Sequence, residues 1–275
     1  MYCTTSKKDN IVIKVIIKYI KSKPFIYKHF NFSYHTQLYT LYKLLEDILY
    51  VLKTGISWRD LRSNIYWNTV YKAYIKLNNF KVFKLSYVEL LNKYIYRTPS
   101  KKLKFISTDT SFIPNKCGQN KIGYNKFYNR KYGSKISLIS DNRGNAINVK
   151  VYKGNKSDSK ILLDHLKNDY LINNNMLNSN IKYFLADAGY DTKAIRKKLF
   201  KLGYKILIPQ NKRNIKDDTK IIKFTKYQKN IFKNRLKIEN KFSQIKSNKR
   251  LLFRYDVKVS NFYGFIYLAL LKTIH

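Results

Sequence analysis

The sequence predicts an α/β protein in which an α-helical N-terminal region is followed by a mixed β-sheet flanked by helices. Apolar residues recur with the 3.6-residue period of a helix through most of residues 1–100. From residue 101 onward, alternation with a period of two and short apolar runs dominate, and the predicted order of elements is β-β-β-α-β-α-β-α. We therefore expect two regions, a helical one at residues 1–100 and an α/β one at residues 101–275.

Three stretches predict the helices of the first region. "IVIKVIIKYIK" places lysines on one face and should end near Pro24. "QLYTLYKLLEDILYVLKTG" has apolar residues at helical spacing and ends in Gly55, which would serve as its C-cap. Residues 57–80 read as a loop followed by another helix. The first region is therefore expected to be mostly helical and basic.

The strands of the second region are predicted from alternation and from turn residues. "KLKFISTDTSF" alternates toward Asp109, which should lie at or just past the end of the first strand. "SKISLISDNRGNAINVKVY" reads as a hairpin that turns at residues 141–144. "YFLA" is a continuous apolar run, typical of a strand buried on both faces, and Asp187 follows it directly. Residues 172–181 and 211–225 are predicted loops.

Length and composition favour a protein that works inside the cell. A chain of 275 residues that is 44% hydrophobic suffices for one large domain, or for one domain with a smaller appendage. The two cysteines, Cys3 and Cys117, provide neither a disulfide framework nor a metal-ligand cluster. The longest apolar run, "FYGFIYLALL", is too short to span a bilayer and is closed by Lys272. We see no signal-peptide pattern, and we expect an intracellular protein with the choice between cytoplasm and nucleus open.

The net charge points to a polyanionic partner. Fifty-six Lys and Arg face 16 Asp and Glu, for a formal net charge of +40. An AT-rich genome would enrich Lys, Asn, Ile and Tyr, but such drift does not by itself remove acids. Nucleic acid is the leading partner, and an anionic membrane surface is second. The basic residues are dispersed among Tyr and Phe, and this pattern favours an extended groove.

Three of the scarce acids stand where a metal site could form. Asp109 and Asp187 lie at the ends of predicted strands, and Glu239 lies on a late predicted helix. Side chains at strand ends commonly converge on a functional crevice, where clustered carboxylates would repel one another without a counterion. Their oxygen atoms suit Mg²⁺, and two such ions roughly 3.5–4 Å apart could act on a phosphodiester. Each aspartate alone is better explained as a turn residue bonded to backbone N–H groups, but the three together favour the metal site.

A single continuous helix is predicted for "FKNRLKIENKFSQIK". On its wheel Phe232, Arg235, Glu239 and Lys246 fall within one stripe roughly 60° wide, beside a stripe of apolar residues. The simpler interpretation is a surface helix with an Arg235–Glu239 pair, worth only about 0.2–0.5 kcal/mol. The rest of the sequence has to decide between a functional stripe and a surface helix with an ordinary ion pair.

The spacing Phe-x2-Arg-x3-Glu-x6-Lys resembles the Y-(2)-R-(3)-E-(6)-K motif of DDE-class insertion-sequence transposases, in particular the IS four/five group. Four other stretches resemble the same group in the same order: "LKTGISWRDLRSNIYWNTVYKAY", "STDTSFI", "IGYNKFYNRKYGSKISLISDNRGNAINVKVYKGNKSD" and "LADAGYD". The resemblance covers roughly residues 38–270. Five ordered matches are far more specific than any one of them.

This resemblance implies an RNase H-like fold in which Asp109, Asp187 and Glu239 bind two Mg²⁺ ions, for which Mn²⁺ could substitute. It implies hydrolysis that exposes a 3′-OH at the element end, and then attack of that 3′-OH on target DNA. The partners would be double-stranded DNA, as terminal repeats and as target, and other copies of the protein in a homo-oligomer on DNA. No membrane partner is implied, and the helical region would help to bind DNA.

Four further residues are candidates for DNA contact. Arg235 and Lys246 would flank the phosphate at the metal site, and Lys135 is equally well explained as a phosphate contact or as a solvated strand-end lysine. Phe232 occupies the tyrosine position of the motif, so a phenolic hydroxyl is absent, and the glycine-rich stretch before "YGSK" is reduced. These departures leave open a catalytically decayed, DNA-binding descendant of a transposase. A nuclease without strand transfer is the other alternative.

Overall fold

The computed structural model describes residues 6–29, 36–97, 104–167, 182–211 and 224–274. The chain divides into two compact units. The helical unit comprises Met1–Lys93, Asn115–Asn120 and Gln244–His275, and the sheet unit comprises Tyr94–Pro114 and Lys121–Ser243. Residues 244–275 belong to the helical unit, so these units are discontinuous in sequence. The division into domains at residue 100 stays a prediction.

Helices make up most of the described part of the helical unit. They are α1 (Lys7–Lys21), α2 (Pro24–Lys28), α3 (Thr36–Thr54), α4 (Trp67–Asn79), most of α5 (Val82–Arg97) and α10 (Val259–Leu271). The side chain of Ser6 caps α1 by accepting the backbone N–H of Asp9. Gly55 follows α3 with a φ of +72°, the left-handed conformation that lets glycine end a helix as predicted.

The apolar run near the C-terminus is the buried helix α10. Phe265, Ile266 and Leu268 expose no surface, and the ring of Tyr74 stacks on Phe265 at 4.5 Å. Burying an apolar side chain of this size stabilises a protein by roughly 1.5–3 kcal/mol. Among the residues that the structure describes, no helix is long and apolar enough to cross a membrane.

The sheet unit is built on a six-stranded mixed sheet. Its strands are β1 (Phe105–Pro114), β2 (Gly123–Asn125), β3 (Lys131–Ser140), β4 (Ala146–Lys153), β5 (Tyr183–Leu185) and β6 (Lys205–Leu207). β3 is antiparallel to β1, β2 and β4, whereas β5 is parallel to both β1 and β6. β3 and β4 form the predicted hairpin. The predicted loop at residues 172–181, and residues 212–223 of the second predicted loop, lie outside the described residues.

Alternate residues of the central strands contribute to different apolar clusters. The helices that follow the strands are α6 (Asp158–Lys167), α7 (Lys193–Lys201), α8 (Lys226–Phe232) and α9 (Leu236–Lys246). Ile106 and Phe184 pack with residues of α6 and α7 in one cluster, and Phe105 and Leu185 pack with residues of α8 in another. Because neighbouring residues of a strand face opposite sides, β5 is buried on both faces. The predicted mixed sheet flanked by helices is confirmed.

The first strand is longer than predicted. β1 continues to Pro114, so Asp109 lies in its middle instead of at or just past its end. The residues after Asp109 pair with the beginning of β3, from Thr110 opposite Ser137 to Pro114 opposite Gly133. The hydrogen-bonded ladder therefore keeps the chain extended beyond the point where the alternation in the sequence fades.

The late helix is not continuous, contrary to the prediction. A 3₁₀ turn at Lys233–Arg235 separates α8 from α9. The side-chain amide of Asn234 donates to the carbonyls of Asn230 (3.2 Å) and Ile231 (3.1 Å), and so competes with regular backbone bonding at the end of α8. A 3₁₀ helix advances about 120° per residue and an α-helix about 100°. The predicted stripe is therefore offset by roughly 60° after Phe232.

Candidate active site

Asp109 is held in place by the strand that contains it. It lies opposite Leu138 on β3, and its Oδ1 accepts the backbone N–H of Thr110 at 2.8 Å. The side chain is 20% exposed, so the carboxylate is mostly withdrawn from water but still accessible. Thr108, on the opposite face of the strand, is fully buried. The alternation of β1 therefore directs Asp109 away from the core that Thr108 faces.

Asp187 lies beside Asp109 because their strands are parallel neighbours. Ser107 on β1 pairs with Leu185 on β5, and each aspartate stands two residues further along its own chain. Adjacent strands are about 4.8 Å apart, so this register brings the two residues to the same level. Oδ1 of Asp187 accepts the backbone N–H of Gly189 at 2.8 Å, which caps a short 3₁₀ turn.

Arg235 links Glu239 to Asp109. The guanidinium Nη1 of Arg235 lies 3.5 Å from Oδ2 of Asp109, and its Nη2 donates to Oε1 of Glu239. Glu239 is in the first turn of α9, where a negative charge is favoured by the helix dipole. One arginine therefore bridges carboxylates from a central strand and from a late helix.

The protonation of Asp109 reports on its neighbours. Burial raises the pKa of Asp109 to about 6. The backbone N–H of Thr110 and the charge of Arg235 oppose this shift, whereas the charges of Asp187 and Glu239 add to it. Arg235 links Asp109 to Glu239, and the β1–β5 register places Asp187 after the strand next to that of Asp109.

The donor set suits a hard divalent cation, although the side chains are not arranged around one. Three carboxylates supply the oxygen ligands that Mg²⁺ and Mn²⁺ prefer. Within the described part of the chain, no group of three or more Asp, Glu, His or Cys side chains is close enough to hold a metal ion. Arg235 instead provides the positive charge between Asp109 and Glu239. The three carboxylates are therefore chemically suited to a divalent cation. In this structure, the guanidinium of Arg235 supplies the positive charge that such a cation would bring.

Lys135 is engaged by a neighbouring acid. Its Nζ lies 2.8 Å from Oδ1 of Asp158 and donates to the carbonyl of Lys156 at 3.0 Å. The hydroxyl of Thr110 donates to the same Oδ1 of Asp158 at 2.7 Å. Lys135 is therefore linked through Asp158 to the residue that follows Asp109. Its role as a phosphate contact stays a prediction.

Phe232 and Lys246 are both at least partly buried. Phe232 is partly buried, belongs to the apolar cluster of Phe105 and Leu185, and lies 5.4 Å from the ring of Phe224. Lys246 ends α9, belongs to the helical unit and is half-buried, and burial lowers its pKa. The structure gives both residues a packing environment, and their contact with DNA stays a prediction.

Two residues near the site were not singled out by the sequence. Tyr190, in the "DAGYD" stretch, is buried, and its pKa is raised well above its usual value by burial and then by the charges of Asp109 and Asp158. Asp158 holds both Lys135 and Thr110. The scarcity of acids in this chain was a signal for Asp158, and the position of Tyr190 within the "LADAGYD" stretch was a signal for Tyr190.

The family is defined by a match over most of the chain. The family described as "Transposase DDE domain" matches residues 100–271, and the chain belongs to this family. All seven candidate residues lie within the match: Asp109, Lys135, Asp187, Phe232, Arg235, Glu239 and Lys246. No curated protein matches the chain.

Several solved structures resemble the chain at low identity. One is a cryo-EM structure of the piggyBac transposase synaptic complex with hairpin DNA, at a TM-score of 0.44 and 11% identity over 99% of this chain and 66% of that one. A second is the Mos1 mariner paired-end complex with Mn, at a TM-score of 0.28 and 13% identity over 61% of this chain and 62% of that one. A third is the Mos1 transposase paired-end complex with the left transposon end, at a TM-score of 0.28 and 11% identity over 91% and 82% of the two chains. The chain thus spans just under two thirds of the piggyBac chain that it resembles.

Proposed function

We propose that the protein is a DDE transposase that cuts DNA strands at the ends of a mobile element and joins the freed 3′-OH groups to target DNA. The observation that supports the proposal is that Arg235 links Asp109 to Glu239, while Asp187 follows the strand next to that of Asp109, in a chain that has only 16 acidic residues. The three acids come from elements far apart in sequence, and all lie in the segment that matches a transposase domain. A purely structural cluster of carboxylates would be costly to maintain.

Asp109, Asp187 and Glu239 would hold divalent cations, Mg²⁺ in the first place and Mn²⁺ as a substitute. When bound, such cations neutralise charge on the phosphoryl group and increase the reactivity of the attacking oxygen. The protein contributes fixed ligands, because backbone N–H groups of Thr110 and Gly189 already orient the two aspartates. Preorganised ligands of this kind lower the cost of assembling the reactive geometry.

Arg235 would exchange its carboxylate partners for a DNA phosphate. Its guanidinium is a planar donor that suits a phosphate as well as a carboxylate. A cation bound by Asp109 and Glu239 would take over the charge compensation that Arg235 now provides. Lys135, Lys246 and Phe232 complete the proposed set of DNA contacts.

The proposed partners are double-stranded DNA and further copies of the protein. A net charge of +40 supports a polyanionic partner, and terminal repeats and target DNA are the substrates that the reaction requires. Assembly as a homo-oligomer on DNA would bring two element ends together. The protein would accordingly act wherever DNA is accessible to it inside the cell.

The first prediction tests the three acids directly. Asp109→Asn should reduce Mg²⁺-dependent cleavage of a donor plasmid, carrying the DNA that flanks the gene, by about a hundredfold or more, because a ligand charge is lost. DNA binding, measured by fluorescence anisotropy, should persist. Asp187→Asn and Glu239→Gln should behave in the same way.

A matched substitution at another aspartate provides the control. Asp164 accepts a hydrogen bond from Tyr152 on the same unit, and Asp164→Asn should leave cleavage unchanged. Undiminished cleavage by Asp109→Asn would contradict the proposal. Cleavage without joining by the wild type would favour the nuclease, and binding without either reaction would favour the decayed descendant.

A further inference from the structure

A hairpin of the sheet unit is rich in aromatic and basic residues. It spans residues 123–132 and consists of β2, a turn and the first residues of β3, and we refer to it as the aromatic hairpin. Residues 116–140 include no Asp or Glu. Four aromatic side chains of the aromatic hairpin are exposed, namely Tyr124 (43%), Phe127 (87%), Tyr128 (44%) and Tyr132 (63%). So many exposed rings on one small element call for a partner.

The base of the aromatic hairpin is tightly packed. A Cβ atom on Gly123 would lie 2.2 Å from Oδ1 of Asn155, and one on Gly133 would lie 2.4 Å from the ring of Phe112. The ring of Tyr128 also packs on Phe112, with centroids 4.6 Å apart. These contacts hold the base of the aromatic hairpin against Phe112 of β1. The tip of the aromatic hairpin therefore extends from a rigid base.

Phe127 at the tip is not packed in this way. It is 87% exposed, and its one ring contact in the described structure is with Nζ of Lys126, 5.0 Å from the ring centroid. Its backbone N–H donates to Oδ1 of Asn125 at 3.0 Å, which fixes the turn but not the ring. Lys126, Arg130 and Lys131 are exposed, and none has an acidic partner among the described residues. The tip therefore combines an open aromatic face with uncompensated cations.

We propose that the aromatic hairpin binds DNA and that Phe127 stacks on a base that distortion of the duplex has exposed. The proposal rests on the DNA partner of the proposed function and adds a contact outside the three acids. Aromatic rings bind unstacked bases, and neighbouring cations bind the flanking phosphates. β3 runs from Lys131 at the aromatic hairpin to Leu138 opposite Asp109, which is about 23 Å at 3.3 Å per residue and less than one turn of B-form DNA. One duplex can therefore reach both places.

The test compares two DNA probes of equal length, a perfect AT-rich duplex and the same duplex with a central mismatched bubble that carries 2-aminopurine. The wild type should prefer the bubble and change the 2-aminopurine fluorescence. Phe127→Ala should bind the bubble about tenfold more weakly, since base stacking on an aromatic ring contributes on that scale, and should lose the fluorescence change. Phe127→Trp should retain both. Phe200→Ala, at a phenylalanine of α7 that is 78% exposed, is the matched control and should resemble the wild type.

Salt dependence separates the ring from the cations. Phe127→Ala should leave the slope of log K against log salt unchanged, whereas each of Lys126→Gln, Arg130→Gln and Lys131→Gln should reduce it by about 0.9. If the wild type binds neither probe, the DNA partner of the proposed function fails, and this inference fails with it. If the wild type prefers the bubble and Phe127→Ala prefers it equally, this inference alone is overturned.

Discussion

Arg235 explains how the carboxylates of Asp109 and Glu239 can stand close together. As an i,i+4 pair with Glu239 it would contribute only about 0.2–0.5 kcal/mol on an exposed helix. Its second contact, to Asp109 on β1, ties the helix to the sheet, and both partners of that contact are 20% exposed. The arginine therefore forms the i,i+4 pair with Glu239 that the simpler interpretation predicts. It also contacts an acid of the candidate site on another element.

Phe232 provides a test of the departure from the family motif. Its ring packs beside Phe224, but the side chain is only partly buried. Phe232→Tyr should therefore change the free energy of unfolding by less than about 1 kcal/mol. If the added hydroxyl reaches DNA, it should raise cleavage severalfold, because a hydrogen bond contributes roughly 0.5–1.5 kcal/mol. Urea unfolding and the plasmid assay measure the two quantities, and a large loss of stability without added cleavage would make Phe232 a core residue only.

His165 predicts how stability depends on pH. It is fully buried, and burial lowers its pKa from 6.5 to about 3, with the charge of Lys150 acting in the same direction. Between pH 6.5 and about 3, His165 is therefore protonated in the unfolded chain and neutral in the folded chain. This difference should lower the stability of the protein progressively as the pH falls from 6.5 toward 3. Between roughly pH 7 and 4.5 the loss should be about 2–3 kcal/mol.

The variant His165→Gln isolates this contribution from that of the other titrating groups. Urea unfolding of both proteins across the same pH range should show a stability curve that is flatter for the variant, by about the same 2–3 kcal/mol. Parallel curves for the wild type and the variant would show that His165 is not the group responsible.

At the scale of elements, the turn of the β3–β4 hairpin positions the helix that carries Glu239. Asp141 is buried and accepts the backbone N–H groups of Arg143 (2.9 Å) and Asn145 (2.8 Å), which shapes the turn. Lys237 of α9 donates to the carbonyl of Asn142 at 2.9 Å. The start of α9 therefore rests on a turn that is itself fixed by a buried carboxylate.

Gly144 tests this arrangement. It has a φ of +85°, and an added Cβ would lie 2.9 Å from the backbone oxygen of Lys237. Gly144→Ala should cost about 1–3 kcal/mol in stability, because it combines backbone strain with a clash against backbone, and it should also reduce cleavage by displacing α9.

Gly203→Ala is the matched control for the clash. Gly203 has a similar φ of +78°, but an added Cβ would have nothing within 4 Å. Thermal unfolding should show a smaller loss for Gly203→Ala than for Gly144→Ala, with cleavage unaffected. Equal losses and equal cleavage would show that the contact with α9 has no effect on the site.

The elements also show which features the sequence could predict. Periodicity located β5, the β3–β4 hairpin and the glycine that ends α3, because each depends on residues close in the chain. The interruption before α9 depends on the side chain of Asn234, which bonds to backbone carbonyls where an uninterrupted helix had been expected. The extension of β1 past Asp109 depends on its ladder with β3. Long-range pairing and local side-chain competition are both invisible to a helical wheel.

The three acids are singled out by the sequence because their scarcity makes each of them informative, and because they lie in stretches that resemble known motifs. Their mutual arrangement could not be predicted from the sequence. The wheel placed Phe232 in the same stripe as Glu239. In the structure, a 3₁₀ turn separates the two residues, Phe232 packs in the cluster of Phe105, and Arg235 contacts Asp109. A change of about 20° per residue over one short turn is enough to separate a packing residue from a site residue.

At the scale of the whole molecule, the net charge of +40 has to be reconciled with a folded chain. Several of the acids are already committed to internal partners, such as Asp9 with Lys272 (2.8 Å) and Asp256 with Arg250 (3.2 Å). Most of the cations therefore have no acid available to them. Self-repulsion of this size opposes folding and favours any partner that brings phosphates.

The final prediction is a strongly salt-dependent association with double-stranded DNA. Each phosphate neutralised contributes about −0.9 to the slope of log K against log salt, so a surface that engages six to ten phosphates should give a slope of about −5 to −9. Fluorescence anisotropy with an AT-rich duplex over a range of salt concentrations measures this slope. Vesicles containing phosphatidylserine, titrated under the same conditions, test the anionic membrane as the rival partner, and they should be released at lower salt than DNA because their charge density is lower. A nearly flat titration with DNA would show that the basic composition is mutational drift and not a binding surface.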